Sequence, residues 1–329
     1  MEKRVRYFDI LNVMACISVV LLHANASIHR FSIDCIWWFR VFIEVVFFFA
    51  VPVFFMLSGA TLLDYRKRYT TKIYYKKRLL KVVIPFIFWS IIFYLFYIWK
   101  DKPDINWHII IQHFITGEIP YTAYWFFVPL ILLYIFIPFL SLMTMHMTEK
   151  CMIGLILVLF AFQILLPLFC SLFNIEFLYQ LPIGGYFLYM LCGYYIAKYD
   201  FKNSRLVMIF LGITSVIFLI LRYILLFHST SKLPILFSYF GLYAFFPAIF
   251  IFLIVKQYHA KLQWGGVKWL SKRSYGVYLF HRTIIWVLAF NFNWNNPWFI
   301  PFSFLIGYSG SLLITWFLQK WRITRILVP

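Results

Sequence analysis

Residues 37–63 read WWFRVFIEVVFFFAVPVFFMLSGATLL, a run in which Arg40 and Glu44 carry the only charges. At about 1.5 Å of rise per residue, a helix of that length crosses the roughly 30 Å hydrocarbon core of a bilayer. The same reading, carried outward in both directions, predicts helices near 8–26, 37–63, 79–99, 124–145, 151–173, 179–197, 206–227, 233–255, 274–292 and 298–318. Composition agrees. The chain is 64% hydrophobic and 12% charged, whereas a soluble domain averages about 45–50% apolar and about 25% charged residues. The expected fold class is all-α, a polytopic transmembrane helical bundle of about ten helices. Short polar breaks and the absence of a long linker point to one membrane-embedded domain over residues 1–329.

A formal net charge of +19 raises nucleic acid as a partner, but the distribution of that charge follows the membrane. With a cytoplasmic N-terminus, one side holds Lys3, Arg4 and Arg6, the block from Arg66 to Lys81, Lys150, and the set Lys198, Lys202 and Arg205. It also holds Lys256, Lys261, Lys268, Lys272, Arg273, Lys320, Arg322 and Arg325. Of the 30 lysines and arginines, Arg30, Arg40, Lys100, Lys102, Arg222, Lys232 and Arg282 are left for the other side or the membrane itself. The positive-inside rule then predicts both termini in the cytoplasm and a multi-pass protein of the cytoplasmic (inner) cell membrane, with the lipid bilayer rather than nucleic acid as partner.

The first apolar run follows basic residues as a secretory signal does, but Asp9 and Asn12 interrupt its start and no small-residue cleavage site precedes a soluble chain. Cys16, Cys35, Cys151, Cys170 and Cys192 are scattered without a CxxC pair. They indicate neither a metal site nor a disulfide framework. Prolines 52, 85, 138, 167, 182 and 247 recur within predicted helices, where they act as kinks.

Ionisable groups at membrane depth are expensive and mark function or a named partner. His23, in VVLLHAN, lies about 17 residues, roughly 25 Å, beyond Arg6. It is either a general base for a hydroxyl or a polar helix contact. Glu44 has the depth to orient or charge-stabilise His23, while Arg40, one turn earlier, is an equally good partner for it. Ser274, Tyr278 and His281 fall at helical spacings of four and three in SYGVYLFH and form one polar stripe, which serves either as packing glue or as substrate contact. The segment YRKRYTTKIYYKKRLLKVVIPF (65–86) crowds cations at the mouth of a helix, with Lys77, Arg78 and Lys81 within one turn. Such a group clamps a phosphorylated ligand or attracts anionic headgroups. KDKPDINWHIIIQHFITGEIPYTA (100–123) is too interrupted to span and reads as lying along the interface, either as a plain amphipathic cover or, through Trp107, His108, His113 and Glu118, as part of the acceptor's hold. NFNWNNPW around Trp294 has similar sugar-compatible chemistry.

Several segments in order resemble the acyltransferase 3 family of integral-membrane O-acyltransferases. They are FDILNVMACISVVLLHAN (8–25), VPVFFMLSGATLL (51–63), YYKKRLLKVVIPF (74–86), YWFFVPLILLYIFIPFL (124–140) and SYGVYLFH (274–281). The likeness is greatest to the short, stand-alone branch that includes the enterobacterial common antigen O-acetyltransferase. It implies transfer of an acyl group, acetyl above all, from cytoplasmic acetyl-CoA or another short acyl-CoA to a hydroxyl of an extracytoplasmic cell-surface glycan or lipid-linked saccharide, without a metal.

The family's first-helix histidine matches His23 as general base, its Ser-Gly matches Ser58 and Gly59, and its basic cluster matches Lys77, Arg78 and Lys81 as donor-binding residues. Asn12 stands where the family usually carries arginine. Either Asn12 itself bonds the donor, a nearby base such as Arg6 substitutes, or activity is altered. Glu44 and His281 join the expected catalytic set, with Ser58 or Tyr278 assisting the oxyanion. The competing class is an exporter or flippase of a saccharide or lipid-linked intermediate, since proline-kinked helices also suit alternating access.

Overall fold

The computed structural model describes residues 4–29, 31, 35–173, 175–176, 184–200, 205–228, 238–262, 265–293, 296 and 298–329. Among these the chain is helical without a strand. Its helices are α1 (Arg6–Ala24), α2 (Trp37–Lys67), α3 (Thr71–Asp101), α4 (Trp107–Thr116), α5 (Tyr124–His146), α6 (Glu149–Leu172) and α7 (Gly184–Lys198). They continue with α8 (Arg205–His228), α9 (Leu242–Tyr258), α10 (Val267–Ser271), α11 (Ser274–Asn291), α12 (Phe299–Leu318) and α13 (Arg322–Leu327).

Seven of these, α1, α2, α3, α5, α6, α8 and α12, are long and apolar enough to cross a bilayer. The other three expected spans differ for identifiable reasons. The described parts of α7 and α9 are shorter, and residues 179–183 and 233–237, where those spans were expected to begin, lie outside the described residues. Helix α11 has the length, but His281 and Arg282 at its middle make it more polar than the rest. Trp294, Pro182, Arg30, Lys202 and Lys232 also lie outside the described residues.

Proline shapes three helices. It has no N–H for the carbonyl four residues back and its ring crowds that carbonyl. Helix α2 is interrupted at Phe48 and Phe49, just ahead of Pro52. In α3 a π turn occupies Leu79–Val83 ahead of Pro85, and in α6 another occupies Ala161–Leu165 ahead of Pro167. The wider π turn makes room for the ring without ending the helix.

Contacts divide the chain into two compact units, Met1–Tyr65 with Phe139–Ser271, and Arg66–Pro138 with Lys272–Pro329. The first is built on the crossing of α2 with α7. A Cβ on Gly59 would lie 1.9 Å from the Met190 carbonyl oxygen, and one on Gly193 would lie 2.1 Å from that of Met56. Only hydrogen in place of a side chain lets the two backbones come so close. Tyr194 then donates to Asp64 at 3.0 Å, tying the ends of the same two helices. Helix α2 is accordingly the most enclosed long helix, with 72% of its most apolar stretch buried, against 17% for α6 and 22% for α8, whose apolar surface is left for lipid.

In the second unit α11 packs on α12, with Gly276 against Thr315 and Gly307 against Ile285. Helix α4 has no buried residue; Asn106 caps its start by accepting from the His108 N–H at 2.9 Å, and Gly117 ends it at φ 73°. That is the form of a cover lying on a surface.

Gly59→Val is expected to reduce thermal stability by about 1–3 kcal/mol or more. Gly154→Ala is expected to leave stability unaltered, because its Cβ would meet nothing within 4 Å. Thermal unfolding of the detergent-purified variants by size-exclusion chromatography compares the two.

Candidate functional site

The expected site residues fall in both units. Asn12, His23, Glu44 and Ser58 belong to the first, and Lys77, Arg78, Lys81, Tyr278 and His281 to the second.

In the first unit the basic end of α1 is a hydrogen-bonded cluster. Arg4 donates from Nε and Nη2 to the Asp9 carboxylate at 2.7 and 2.5 Å, a two-point pairing. The Ser271 hydroxyl donates to Asp9 at 2.7 Å. Asn12 donates its amide to the Ser271 carbonyl and hydroxyl at 3.0 and 3.1 Å, docking α1 onto α10. The guanidinium of this cluster is therefore that of Arg4, whose Nη2 reaches Ser271 Oγ at 3.4 Å, while Arg6 is directed to the Leu262 carbonyl at 2.9 Å. At the opposite end of α1, His23 sits half-buried in the last turn. Two residues on, Asn25 is fully buried and donates to the Arg40 carbonyl at 2.9 Å, which fixes this end of α1 against α2.

Glu44 is buried, and the partner the structure gives it is Arg222 of α8. Arg222 Nη1 donates to the Glu44 carbonyl at 2.9 Å and Nη2 to its carboxylate at 3.4 Å. The guanidinium also lies 3.9 Å from the Phe48 ring centre and 4.6 Å from that of Tyr243. Two ring faces and a carboxylate thus replace the water an arginine loses at this depth. Arg222 lines a cavity of about 590 Å³ together with Ile164, Pro167, Phe218 and Tyr243. Sequence reasoning missed this arginine as a partner, although a lone charge within the apolar run of α8 was its signal.

Ser58 is half-buried on α2, one residue before the Gly59 crossing that fixes its depth. At the basic end of α7 and α9, Lys256 donates to the carbonyls of Ile196 at 2.6 Å and Tyr199 at 2.7 Å. It thereby caps α7, and with Tyr7, Lys198, Asp200 and His259 it lines a second cavity of about 430 Å³.

In the second unit Lys77 and Arg78 end the first α-helical stretch of α3, and Lys81 falls inside the π turn that follows. Aromatic rings hold the bases in place. Lys77 Nζ lies 3.8 Å above the Tyr69 ring, and Arg78 lies 5.4 Å from that of Tyr134. Tyr74 and Tyr75 donate to the carbonyls of Tyr134 and Ile135 at 3.0 and 2.9 Å, pinning the same turn to α5. The cations are therefore fixed on a rigid helix, with Lys81 exposed and Lys77 and Arg78 half-exposed. Tyr275 donates to the Val82 carbonyl in the π turn at 3.4 Å.

The polar stripe on α11 is mostly committed to structure. Tyr278 donates to the Ala123 carbonyl at 2.7 Å, and Tyr124 donates to that of Leu279 at 3.1 Å, a reciprocal clamp between α11 and the start of α5. His281 is fully buried, its Nδ1 2.9 Å from the Tyr278 carbonyl and 3.0 Å from that of Val277. Two acceptors require Nδ1 to carry a proton, so in the neutral ring Nε2 holds the lone pair. The rings of Tyr278 and His281 are 5.5 Å apart.

Compared with known proteins, residues 5–316 match the acyltransferase 3 family model, described as an acyltransferase domain. The chain belongs to that family and is a multi-pass membrane acyltransferase. No curated protein and no solved structure matches it.

Arg222→Met leaves the Glu44 carboxylate buried with its partner removed, and such a change costs about 3–5 kcal/mol. Thermal unfolding is expected to fall sharply for Arg222→Met and by much less for the Glu44→Gln and Arg222→Met pair together.

Proposed function

We propose that this membrane acyltransferase moves an acetyl group from cytoplasmic acetyl-CoA to a hydroxyl of a cell-surface carbohydrate, free or lipid-linked, on the other side of the cytoplasmic membrane. The observation that carries the reading is α1. It is one unbroken helix with a cluster of Arg4, Asp9, Asn12 and Ser271 at its basic end and His23 in its last turn. A single rod of roughly 25 Å thus bears donor-type chemistry at one end and a base at the other.

The chemistry needs few groups. His23 takes the proton of the acceptor hydroxyl as its oxygen attacks the thioester carbonyl. The C–S bond breaks, and the proton passes to the departing thiolate of coenzyme A. In the first unit Ser58 donates to the oxyanion and Glu44 orients His23; in the second, Tyr278 and His281 contact substrate, Tyr278 by giving up its bond to the Ala123 carbonyl. Lys77, Arg78 and Lys81 of the second unit hold the donor's phosphates, and Asn12 with Arg4 offers donor-binding groups in the first. Fixed cations suit phosphate because their positions need no ordering when the ligand arrives.

Purified protein in nanodiscs, given radiolabelled acetyl-CoA and isolated cell-surface glycan, is expected to label the glycan. His23→Ala is expected to lower that rate by about 10²-fold or more at an unchanged folded yield. A fully active His23→Ala enzyme, or a wild type that transfers from neither acetyl-CoA nor succinyl-CoA, overturns the assignment. Replacing Lys77, Arg78 and Lys81 together with alanine is expected to weaken coenzyme A binding by about tenfold or more at low salt. The deficit shrinks as salt rises, and unaltered affinity in a titration would assign the cluster to lipid headgroups.

A further inference from the structure

Helix α3 carries its basic cluster at one end and, about 35 Å along at the other, Lys100 and Asp101. Between α4 and α5 the chain turns through IPYTA (119–123), and within it Tyr121 adopts φ 63°. The left-handed region is an outlier for a bulky residue and costs about 1–3 kcal/mol, whereas glycine or asparagine enters it readily. A tyrosine in that conformation brings a large ring to the turn.

That ring is held from every side. Its centre is 5.5 Å from Trp286, 5.4 Å from Phe290 and 6.0 Å from Tyr97. Its carbonyl accepts from the Thr283 hydroxyl at 3.1 Å, and its phenol donates to the Asp101 carboxylate. Burial, with the bond to Asp101 adding to it, pushes the phenol up to about 12, so it remains a donor at neutral pH. Lys100 Nζ sits 2.8 Å from the Phe290 ring centre and 3.9 Å from Asp101.

Bilayer interfaces also collect aromatic residues, but the rings that serve that purpose look different. Trp99, Trp107 and Trp298 are 73–76% exposed. The Tyr121 group is instead a half-exposed wall of rings around a carboxylate and an ammonium, and a lipid-facing ring gains nothing from a carboxylate. Ring faces with a few fixed polar groups are the makings of a small-molecule subsite. The C–H faces of a sugar pack on aromatic rings, and its hydroxyls need an acceptor and a donor.

We propose that Tyr97, Tyr121, Trp286 and Phe290, with Asp101 as acceptor and Lys100 as donor, form the subsite that docks the saccharide acceptor. This rests on the acyl-transfer reading above. In its favour stands the positive φ at Tyr121, which places its ring between Trp286 and Phe290 and its phenol on Asp101.

The test uses full-length protein in nanodiscs with labelled acetyl-CoA and isolated cell-surface glycan. Trp286→Ala is expected to raise the glycan KM about tenfold, equivalent to about 1.4 kcal/mol. Tyr121→Phe and Asp101→Asn, which keep the bulk of the site, are expected to raise it severalfold, with the acetyl-CoA KM measured on the same preparations for comparison. Trp99→Ala is expected to leave the glycan KM within twofold of wild type. If Trp286→Ala does not fold, the two conservative variants decide. Wild-type transfer with an unmoved glycan KM in these variants, or an equal rise in Trp99→Ala, overturns the subsite alone. No transfer by the wild type overturns the acyl-transfer reading and the subsite with it.

Discussion

The contact between Gly59 and the Met190 carbonyl, mirrored by Gly193 and the Met56 carbonyl, is the constraint around which the first unit is arranged. In hydrocarbon, helices gain little from hiding apolar surface, so association depends on close packing and on polar bonds between them. Two glycines in register let α2 and α7 meet backbone to backbone. Ser58 is held at the depth of that crossing. Helix α1 then lies along α2, joined to it by Asn25 and Arg40 at one end and docked on α10 by Asn12 at the other. The position of His23 follows from a rod clamped at both ends.

Polar groups in this protein serve geometry first. Tyr278, Tyr124, Tyr74 and Tyr75 donate to main-chain carbonyls rather than to one another. For Tyr278, Tyr124 and Tyr74 each such bond satisfies two groups that would otherwise be costly in a dry interior. Lys256 and Arg222 do the same with charge, the one closing the end of α7, the other bridging α8 to α2. A chemical site in such surroundings begins with donors and acceptors already oriented, so little is left to reorganise when substrate arrives.

Much of this was legible in the chain. Of the ten spans read from long apolar runs, seven are helices long and apolar enough to cross a bilayer among the described residues, because length and hydropathy are local properties. The resemblance carried by residues 8–25, 51–63, 74–86, 124–140 and 274–281 matched the family found over residues 5–316. Partnerships were not legible. Glu44 and Arg222 are separated by 178 positions and Asn12 and Ser271 by 259, and no local pattern joins them. The sequence offered Glu44 both His23 and its helix neighbour Arg40, whereas the ion pair that the structure shows for it is with Arg222 of α8. Arg4, which no local pattern singled out, holds the Asp9 carboxylate beside Asn12. The strain at Tyr121 was equally hidden, since nothing in IPYTA forces a tyrosine to positive φ.

The π turn at Leu79–Val83 has a bearing on how such chains change over time. A π turn is a single residue inserted into an α-helix without breaking its ladder, and it turns everything beyond it by about 100° relative to what precedes it. The turn lies between Lys77 and Arg78 on one side and Pro85 on the other. A descendant that loses one residue here would keep its helix, its hydropathy and its charges, yet present its cations to a different neighbour. Length, more than residue type, is what natural variation must preserve in this segment.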